Sequence, residues 1–466
     1  MTRERTHRNH HGRPLPSLDT LHTVTASSTG SSTTHSSGSD GSPAADSLTV
    51  LVIGGGGREH SLALAASADP GVASVHVAPG NPGTASFATN HRLDIMDGPA
   101  VAQLAKQIAA DLVIVGPEAP LVAGVADDVR DAGIACFGPG KAAAQLEGSK
   151  AFAKQVMAEA HVPTARSRVA TTPAQAAAAL DEFGAPYVVK DDGLAAGKGV
   201  IVTDDRDAAL AHAAECEQVV IEEYLDGPEL SLFVITDGQT AVPLLPAQDF
   251  KRVGDGDEGP NTGGMGSYAP LPWLPADLVP TVMSEVVHPT LERMREQGTP
   301  FSGLLYVGLA LTSAGPRVVE FNARFGDPET EVVLPLLQGP FAQVLLAAAT
   351  GRLADAPTLT VGPGAAVGVV MASKGYPTEP HPGGVIVLPS EPEDVHVIHS
   401  GTAIDDRGRL VSAGGRVLVV VARGADLADA RAKAYAHISR IDFPDGFCRS
   451  DIASPQRLAA IADRLS

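Results

Sequence analysis

The sequence predicts an α/β protein whose folded units follow a polar amino-terminal tail. Between residues 48 and 150, short apolar runs alternate with helical segments, which is typical of a parallel sheet covered by helices. Farther along, turns rich in glycine join apolar runs directly, which is typical of antiparallel strands. The last unit, from about residue 362, is again rich in strands. We therefore expect a parallel first domain and mixed or antiparallel domains after it.

Composition restricts the class of protein before any motif is considered. The chain has 466 residues, enough for three packed domains, and a formal net charge of −20. Such a charge disfavours a nucleic-acid partner, although local lysines and backbone N–H groups can still hold phosphates. No apolar run approaches the roughly 18 residues of a membrane helix. The three cysteines are far apart and lack metal-ligand spacing, so a reduced, cytoplasmic setting is expected.

Residues 1–47 and the first folded unit differ sharply in composition. The tail is mainly Ser, Thr, Gly and His, so it cannot offset its ordering entropy by burial and is predicted to be disordered. The unit that follows has apolar runs at 49–53, 75–78 and 112–115, each ending at a glycine or proline turn. Parallel strands of this kind place ligand-binding loops at their carboxyl ends.

The glycine run after the first strand raises the possibility of a dinucleotide site. That fingerprint fails because Glu59 stands at its third glycine position, and the second strand ends without an acidic residue. Backbone N–H groups at the start of the helix could instead cradle a phosphate. A tight turn that needs glycine only for its geometry is the alternative.

A lysine-bearing loop marks the second unit. Lys150 opens a helix, and strands at 187–190 and 200–202 flank the glycine-rich loop 193–199. The loop is not a Walker A motif, because its glycine spacing is too short, no Ser or Thr follows the lysine, and it leads into a strand. It is either a flap that folds over phosphates, with Lys198 as a mobile cation, or a solvated hairpin.

Two later features suit a nucleotide and its metal. The apolar strand at 219–225 runs into a polar hinge, which could contact an adenine edge while Glu229 accepts hydrogen bonds from ribose. The hairpin predicted within 304–321 is followed by Asn322, which alternation places on the same face as Glu320. Two oxygen donors beside phosphates suit magnesium. Alone, such a pair also occurs on solvated strand faces.

In this order, the lysines, flap, hinge and Glu-x-Asn strand resemble the ATP-grasp superfamily. Within it, the sequence is similar to the glycinamide ribonucleotide synthetase family from about residue 49 to the C-terminus. The similarity is carried by the segments 52–60, 115–122, 145–150, 192–200, 259–266 and 320–330. It implies a pre-ATP-grasp domain at 48–150, an ATP-grasp domain at 151–361 with a flap subdomain near 164–228, and a C-terminal cap at 362–466.

The resemblance implies that ATP drives the ligation of glycine to 5-phosphoribosylamine through glycyl phosphate, with magnesium or manganese. The metal would be held by Glu320 and Asn322. Catalytic roles would fall to Arg324, Lys190, Lys251 and Arg252. ATP would be contacted by Lys150, Lys190, Gly197, Lys198, Gly199, Glu222, Glu223, Tyr224, Leu225 and Glu229. The other substrates would be contacted by Gly55, Gly56, Gly57, Asn81, Pro82, Gly83, Thr84, Asn261, Gly263, Gly264 and Asp327.

Several further expectations accompany this interpretation. The segment 203–218 is shorter than the family pattern, which leaves open how the flap closes. The C-terminal unit should have strands at 366–372, 385–388, 395–399 and 416–421 and a helix at 425–439, and should act mainly as a structural cap. Arg449 and Asp451 are expected at the surface or in an interface. The protein is expected to be a monomer or weak dimer, and a biotin-carboxylase-like enzyme or another ATP-grasp ligase is the alternative function.

Overall fold

The computed structural model describes residues 47–194 and 199–465. Residues 1–46 of the predicted tail, and Gly197 and Lys198 of the predicted flap, lie outside the described residues. Within the described ranges, no helix has both the length and the apolar character needed to cross a membrane.

The first unit is a five-stranded parallel sheet, as the alternation of its segments predicted. Its strand order is β3-β2-β1-β4-β5. The central strand is apolar without alternation, and its residues 50–53 are fully buried because helices cover both faces. The strands are β1 (Leu48–Gly54), β2 (Val72–Pro79), β3 (Thr89–Asn90), β4 (Leu112–Val115) and β5 (Ala135–Phe137). The helices are α1 (Gly57–Ser67), α2 (Gly98–Gln107), α3 (Glu118–Ala123), α4 (Val125–Asp131) and α5 (Lys141–Gly148).

A helix and a small antiparallel sheet follow. Helix α6 (Lys150–Glu159) begins at Ser149, whose hydroxyl accepts a hydrogen bond from the Phe152 N–H and so caps the helix. The sheet has the order β6-β9-β7-β8, and β7 and β8 are antiparallel, as expected for strands joined by a glycine-rich loop. Its elements are β6 (Ser167–Ala170), α7 (Pro173–Phe183), β7 (Tyr187–Asp191), β8 (Val200–Thr203), α8 (Arg206–Ala214) and β9 (Val219–Glu222).

The central part of the chain contains a second antiparallel sheet, of order β11-β10-β16-β17. The predicted hairpin is its β16–β17 pair, with Gly308 opposite Glu320. The elements up to residue 361 are β10 (Glu229–Thr236), β11 (Ala241–Pro243), β12 (Gln248–Asp249), β13 (Arg252–Gly254), β14 (Glu258–Asn261), β15 (Gly266–Ala269), α9 (Leu278–Val282), α10 (His288–Glu296), β16 (Gly303–Thr312), β17 (Gly315–Asn322), α11 (Thr330–Val333), β18 (Leu337–Gln338), α12 (Phe341–Ala349) and β19 (Thr360–Val361).

The last unit shares its sheet with the central part of the chain. Its order is β12-β15-β20-β24-β21, with β25 also paired to β20. Strands β12 and β15 come from before residue 270, so residues just beyond Asp249 and just before Gly266 are held at the junction of the two units. The remaining elements are β20 (Ala365–Ser373), β21 (Val395–His399), β22 (Thr402–Ile404), β23 (Leu410–Ser412), β24 (Arg416–Gly424), α13 (Leu427–Ile438), β25 (Gly446–Phe447) and α14 (Pro455–Asp463).

One predicted strand of this unit is wrong. The segment 385–388 forms no continuous strand, because Val385 bridges Val411 whereas Val387 bridges Asp442. Val385 and Val387 therefore pair with different neighbours, and the segment 385–388 connects these two neighbours without forming a strand. The other three strands and the helix of the unit are confirmed.

Candidate functional site

Two lysines and a glutamate form the centre of a cleft between the two antiparallel sheets. Glu222, at the end of β9, is 3% exposed. Its two carboxylate oxygens lie 2.9 Å from Lys190 Nζ and 2.9 Å from Lys154 Nζ. Burial raises the pKa of Glu222, but attraction to Lys190 and Lys154 outweighs it, and the pKa falls below its ordinary value. Both carboxylate oxygens are thus occupied by lysines, which leaves any adenine contact at this position to the backbone.

The two lysines differ in how many of their protons are engaged. An ammonium group has three N–H donors. Lys154 Nζ contacts Glu222 and, within the segment 164–165, a hydroxyl at 2.9 Å and a carbonyl at 3.0 Å. Lys190 Nζ contacts only Glu222 and the Val319 carbonyl, each at 2.9 Å, among the described residues. Lys190 therefore keeps one donor for an anion in the cleft, whereas Lys154 has none. The sequence pattern indicated Lys190 but gave no signal for Lys154.

The start of helix α6 holds the stem of the glycine-rich loop. Asp192 Oδ1 accepts hydrogen bonds from the Ala151 N–H at 3.0 Å and from the Ser149 hydroxyl at 3.1 Å. Lys150 Nζ donates to the Gly193 carbonyl at 2.8 Å. Gly193 and Gly199 both line the cleft, so both ends of the loop reach it, as does Lys150.

The hinge residues present an apolar wall to the cleft. The Glu223 carboxylate is turned away, since it accepts hydrogen bonds from the Arg166 N–H and Nε at 2.9 and 2.7 Å. Tyr224 and Leu194 are 47% and 42% exposed although both are large and apolar, and Leu225 lies beside them in the cleft lining. Flat aromatic bases bind between such side chains, with backbone groups at their edges.

Glu320 and Asn322 lie on one face of β17 and line the same cleft. Glu320 makes no hydrogen bond or ion pair within 4 Å with any described residue, although it attracts Lys190. Its neighbour across the hairpin is Gly308, where an added Cβ would lie 3.2 Å from Glu320 Cγ. A free carboxylate next to an amide oxygen is a donor set that fits a hard divalent cation, which takes few protein ligands when phosphates complete its shell.

A second charged group lies at the carboxyl end of β12. Lys251 Nζ lies 2.9 Å from Glu229 Oε2 and 3.6 Å from Asp249 Oδ1. Burial raises the pKa of Asp249 to about 7, with Lys251 opposing and Glu329 adding to the rise. Burial lowers the pKa of Lys251, but attraction to Asp249 and Glu229 raises it well above its ordinary value. Lys251 is thus a fixed positive charge at the cleft wall, and Glu229, expected at a ribose, is already paired.

Arg324 is held between two carboxylates from the first unit. Its Nε lies 3.2 Å from Glu118 Oε2, and its Nη2 lies 2.9 Å from Glu147 Oε1. Glu147 also accepts a hydrogen bond from the Ala323 N–H at 2.7 Å. Burial lowers the pKa of Arg324, but Glu147 and Glu118 raise it above its ordinary value, so the guanidinium stays charged. Glu118 and Glu147 lie in segments that carry the family resemblance, but the sequence pattern indicated no role for either residue.

The predicted substrate-binding turns of the first unit lie outside the lining of this cleft. The Gly56 N–H already donates to Glu59 Oε2 at 2.7 Å, and Gly54 has a φ of 126°, which only glycine adopts readily. Asn81 Nδ2 donates to the Gly55 and His399 carbonyls at 3.0 and 2.9 Å. None of the residues predicted here lines the cleft, namely Gly55, Gly56, Gly57, Asn81, Pro82, Gly83 and Thr84.

The C-terminal unit contributes a side chain to the cleft. Arg416 lines it, and its Nη1 lies 3.2 Å from Asp327 Oδ1 and donates to the Asp327 carbonyl at 2.8 Å. The same atom contacts the Gly263 carbonyl, and the Gly263 N–H donates to Tyr376 Oη at 3.1 Å. The cap therefore does more than cover the site, because it fixes Gly263 and Asp327. Gly264 packs against this group but does not line the cleft.

Behind Asp327 lies a buried carboxyl group without a partner. Glu331 is 1% exposed, and neither of its carboxylate oxygens has a hydrogen bond with a described residue. Burial, and then repulsion from Asp327, raises the pKa of Glu331 well above its ordinary value of 4.5. The folded protein therefore retains a proton on this group that the unfolded chain releases.

Replacing Glu331 with glutamine should stabilise the protein relative to wild type by an amount that grows with pH. Between the ordinary value of 4.5 and the raised folded value, wild-type stability falls as pH rises, because only the unfolded state has released the proton. Glutamine removes this dependence. Urea unfolding at about pH 5 and about pH 8 measures it, with the exposed Glu285→Gln change as control. Parallel pH dependences for wild type and Glu331→Gln would contradict the assignment.

The cleft has a volume of about 420 Å³. It brings together most of the predicted ATP, metal and catalytic residues. Arg252 stays outside, because its guanidinium donates to the Gly259 carbonyl within its own hairpin. The predicted residues in the lining are Lys150, Lys190, Gly199, Glu222, Glu223, Tyr224, Leu225, Glu229, Lys251, Asn261, Gly263, Glu320, Asn322, Arg324 and Asp327.

Solved structures of other proteins share this fold. The crystal structure of a phosphoribosylamine–glycine ligase from Thermotoga maritima superposes with a TM-score of 0.76 at 35% identity, covering 87% of this chain and all of that one. The biotin carboxylase domain of a Hydrogenobacter thermophilus 2-oxoglutarate carboxylase superposes with a TM-score of 0.64 at 15% identity, over 86% of this chain and 91% of that one. The latter likeness concerns the fold alone, and the predicted α/β class with an ATP-grasp domain is confirmed.

Sequence relatives are considerably nearer. The phosphoribosylamine–glycine ligase of Streptomyces coelicolor is 60% identical over 412 residues, which cover 87% of this chain and 99% of that protein. The Mycobacterium tuberculosis H37Rv protein of the same name is 57% identical over 414 residues, covering 87% and 97%. Models of the phosphoribosylglycinamide synthetase N domain, ATP-grasp (A) domain and C domain match residues 48–147, 148–330 and 366–455. The chain belongs to the phosphoribosylglycinamide synthetase family.

Proposed function

We propose that the protein ligates glycine to 5-phosphoribosylamine in purine biosynthesis, converting ATP to ADP and phosphate. The observation that carries the proposal is the cleft in which three side chains converge: a lysine with one N–H donor not engaged by the described residues, a carboxylate that pairs with none of them, and an arginine bound by carboxylates. These are Lys190, Glu320 and Arg324. Family membership selects glycine and phosphoribosylamine as the substrates.

The chemistry explains why lysine and arginine side chains line the cleft. A glycine carboxylate does not acylate an amine directly, because an oxide ion is too poor a leaving group. An oxygen of the carboxylate therefore attacks the γ-phosphorus of ATP, and ADP leaves. The amine of phosphoribosylamine then attacks the carbonyl carbon of glycyl phosphate, the C–O bond to phosphate breaks, and the amine loses a proton. Positioning and neutralisation of charge make up most of such catalysis.

The described side chains can be given distinct tasks in this sequence. Lys190 directs its remaining donor at the transferred phosphoryl group, and Lys150 offers a second cation at the loop stem. Arg324 neutralises charge on the reacting carboxylate and phosphate. Asn261, Gly263 and Asp327 line one side of the cleft, which suits the second substrate. Arg416 of the C-terminal unit holds Gly263 and Asp327 there.

Glu320 and Asn322 would hold a divalent cation, magnesium or manganese, which would neutralise the phosphate oxygens of ATP when bound. We also propose a cytoplasmic location, since the three cysteines are unpaired thiols and ATP is available there. A monomer or weak dimer is proposed as the active form.

Release of ADP tests the ligase assignment. Purified protein receives ATP, magnesium and glycine, while phosphoribosylamine forms in place from ribose 5-phosphate and ammonia. We expect release that requires both glycine and the amine. Release that requires bicarbonate instead would assign the protein to the biotin-carboxylase-like alternative, and no release with any acceptor would contradict an enzymatic function.

Replacing Glu320 with alanine should lower this turnover by at least about 100-fold, because the cation loses its carboxylate ligand. The exposed Glu285→Ala change is a matched control and should leave turnover unchanged. Raising the magnesium concentration should restore part of the Glu320→Ala activity. Wild-type turnover by Glu320→Ala at limiting magnesium would contradict the proposal that Glu320 is a metal ligand.

A further inference from the structure

Arg449, expected at the surface or in an interface, is instead buried within the chain, with 1% of it exposed. Its guanidinium forms two parallel bonds of 2.7 Å with the Asp451 carboxylate. It also donates from Nη1 to Asp257 Oδ1 at 2.9 Å. A guanidinium with several fixed acceptors has a closely defined position, because its fork of donors is planar and rigid.

The remaining contacts of Arg449 fall on both sides of Lys251. Arg449 Nη1 donates to the Arg252 carbonyl at 3.0 Å, and its Cζ lies 5.0 Å from the centre of the Phe250 ring. The Phe250 ring is itself buried, and a cation above it adds attraction to the packing. Lys251 thus lies between Phe250, whose ring Arg449 contacts, and Arg252, whose backbone carbonyl accepts a hydrogen bond from Arg449.

Other bonds connect the same two segments. We call residues 448–454 the C-terminal arm and strands β13 and β14, residues 252–261, the hairpin. Ser450 N donates to Asp255 Oδ1 at 2.8 Å, and Gly256 N donates to Asp451 Oδ2 at 2.9 Å. The tip of the hairpin, 255–260, is otherwise exposed. The arm therefore supports a hairpin that follows Lys251 at one end and lines the cleft with Asn261 at the other.

We propose that Arg449 is a positioning residue that holds Lys251, and with it the ends of the hairpin, in place for the ligation. The inference rests on the function proposed above, in which Lys251 belongs to the reacting centre. Lys251 also fixes the far end of the hairpin, because its carbonyl accepts hydrogen bonds from the Thr262 N–H and hydroxyl at 2.7 and 2.8 Å. Asn261 and Gly263, on either side of Thr262, line the cleft. Loss of Arg449 would displace all of them together.

Arg449→Met tests the proposal, with kcat, KM for ATP and thermal stability measured on the full chain. We expect kcat to fall by about 10- to 100-fold, the size of effect that a displacement of about 1 Å at a reacting centre produces. KM for ATP should stay within about twofold, because Lys190 and the hinge residue Tyr224 have no contact with Arg449. Arg449→Lys keeps the charge without the fork and should recover part of the lost kcat.

Arg431→Met separates positioning from general loosening of the arm. Arg431 donates to the Ser450 and Ile452 carbonyls at 2.5 and 3.0 Å and has no contact with the hairpin. It should cost thermal stability with little change in kcat. An equal loss of kcat in Arg431→Met at equal stability, or wild-type kcat in Arg449→Met, would overturn the proposal.

The kcat of Lys251→Met, measured in parallel, distinguishes failure of the proposed role of Arg449 from failure of the proposed function. A large loss of kcat is expected. Full activity would take Lys251 out of the reacting centre and the role of Arg449 with it, while leaving the ligase assignment intact. Absence of glycine-dependent turnover in the wild-type protein would instead overturn the proposed function itself.

Discussion

Replacing Arg324 with methionine is expected to lower the glycine-dependent release of ADP by at least about 1,000-fold, the order measured when a guanidinium that stabilises a transferring phosphoryl group is removed. Two carboxylates of the first unit, those of Glu118 and Glu147, hold this guanidinium in the cleft. The variant also leaves Glu147 and Glu118 without their shared cation. Breaking a buried pair costs about 3 kcal/mol of folding free energy, less whatever Glu147 recovers by taking up a proton.

A double variant separates the two effects of this change. Burial already raises the pKa of Glu147, with Arg324 opposing, so this carboxyl group tolerates neutralisation. Arg324→Met combined with Glu147→Gln should therefore recover part of the lost stability in urea unfolding. It should recover no activity. Activity that returns together with stability would mean that Arg324 acts through the fold alone, and a single variant within about tenfold of wild type would exclude the proposed catalytic role.

The fold was largely predictable because the signals that define it are local. Four of the five strands of the first sheet, β1, β2, β4 and β5, are largely apolar runs ended by glycine or proline, and the β16–β17 hairpin is two apolar runs around a turn. The segment 385–388 is an exception to this local rule. It has the composition of a strand, but its alternate residues pair with Val411 and Asp442, which no local pattern indicates.

Residues of the cleft were predictable where a local sequence pattern marks them, as with Lys190 or the pair Glu320 and Asn322. It was not predictable where the task depends on a distant partner. Lys154 is an ordinary helical lysine until the fold brings it to Glu222, 68 positions along the chain by subtraction of the residue numbers. Arg416 likewise reaches Asp327 only because the last unit shares a sheet with the central part of the chain.

Replacing Lys190 with methionine should abolish turnover while leaving the protein folded. The donor that Lys190 keeps for a phosphoryl group is lost, and a reduction of at least about 100-fold in kcat is expected. The remaining Lys154 and Glu222 form a complete ion pair, so no buried charge is left alone. Thermal unfolding should therefore change little.

Replacing Lys154 with methionine should have the opposite balance of effects. It removes three bonds and leaves the buried Ala165 carbonyl without this donor, at a cost of about 1–3 kcal/mol in the free energy of unfolding. Lys190 and Glu222 stay paired, so turnover by the folded fraction should exceed that of Lys190→Met. If Lys154→Met lost more turnover than Lys190→Met at matched stability, the phosphate would be contacted by Lys154 and not by Lys190. Nucleotide affinity, measured by titration of ADP into each variant, decides this independently of catalysis, because the lysine with the free donor is the one whose loss weakens binding.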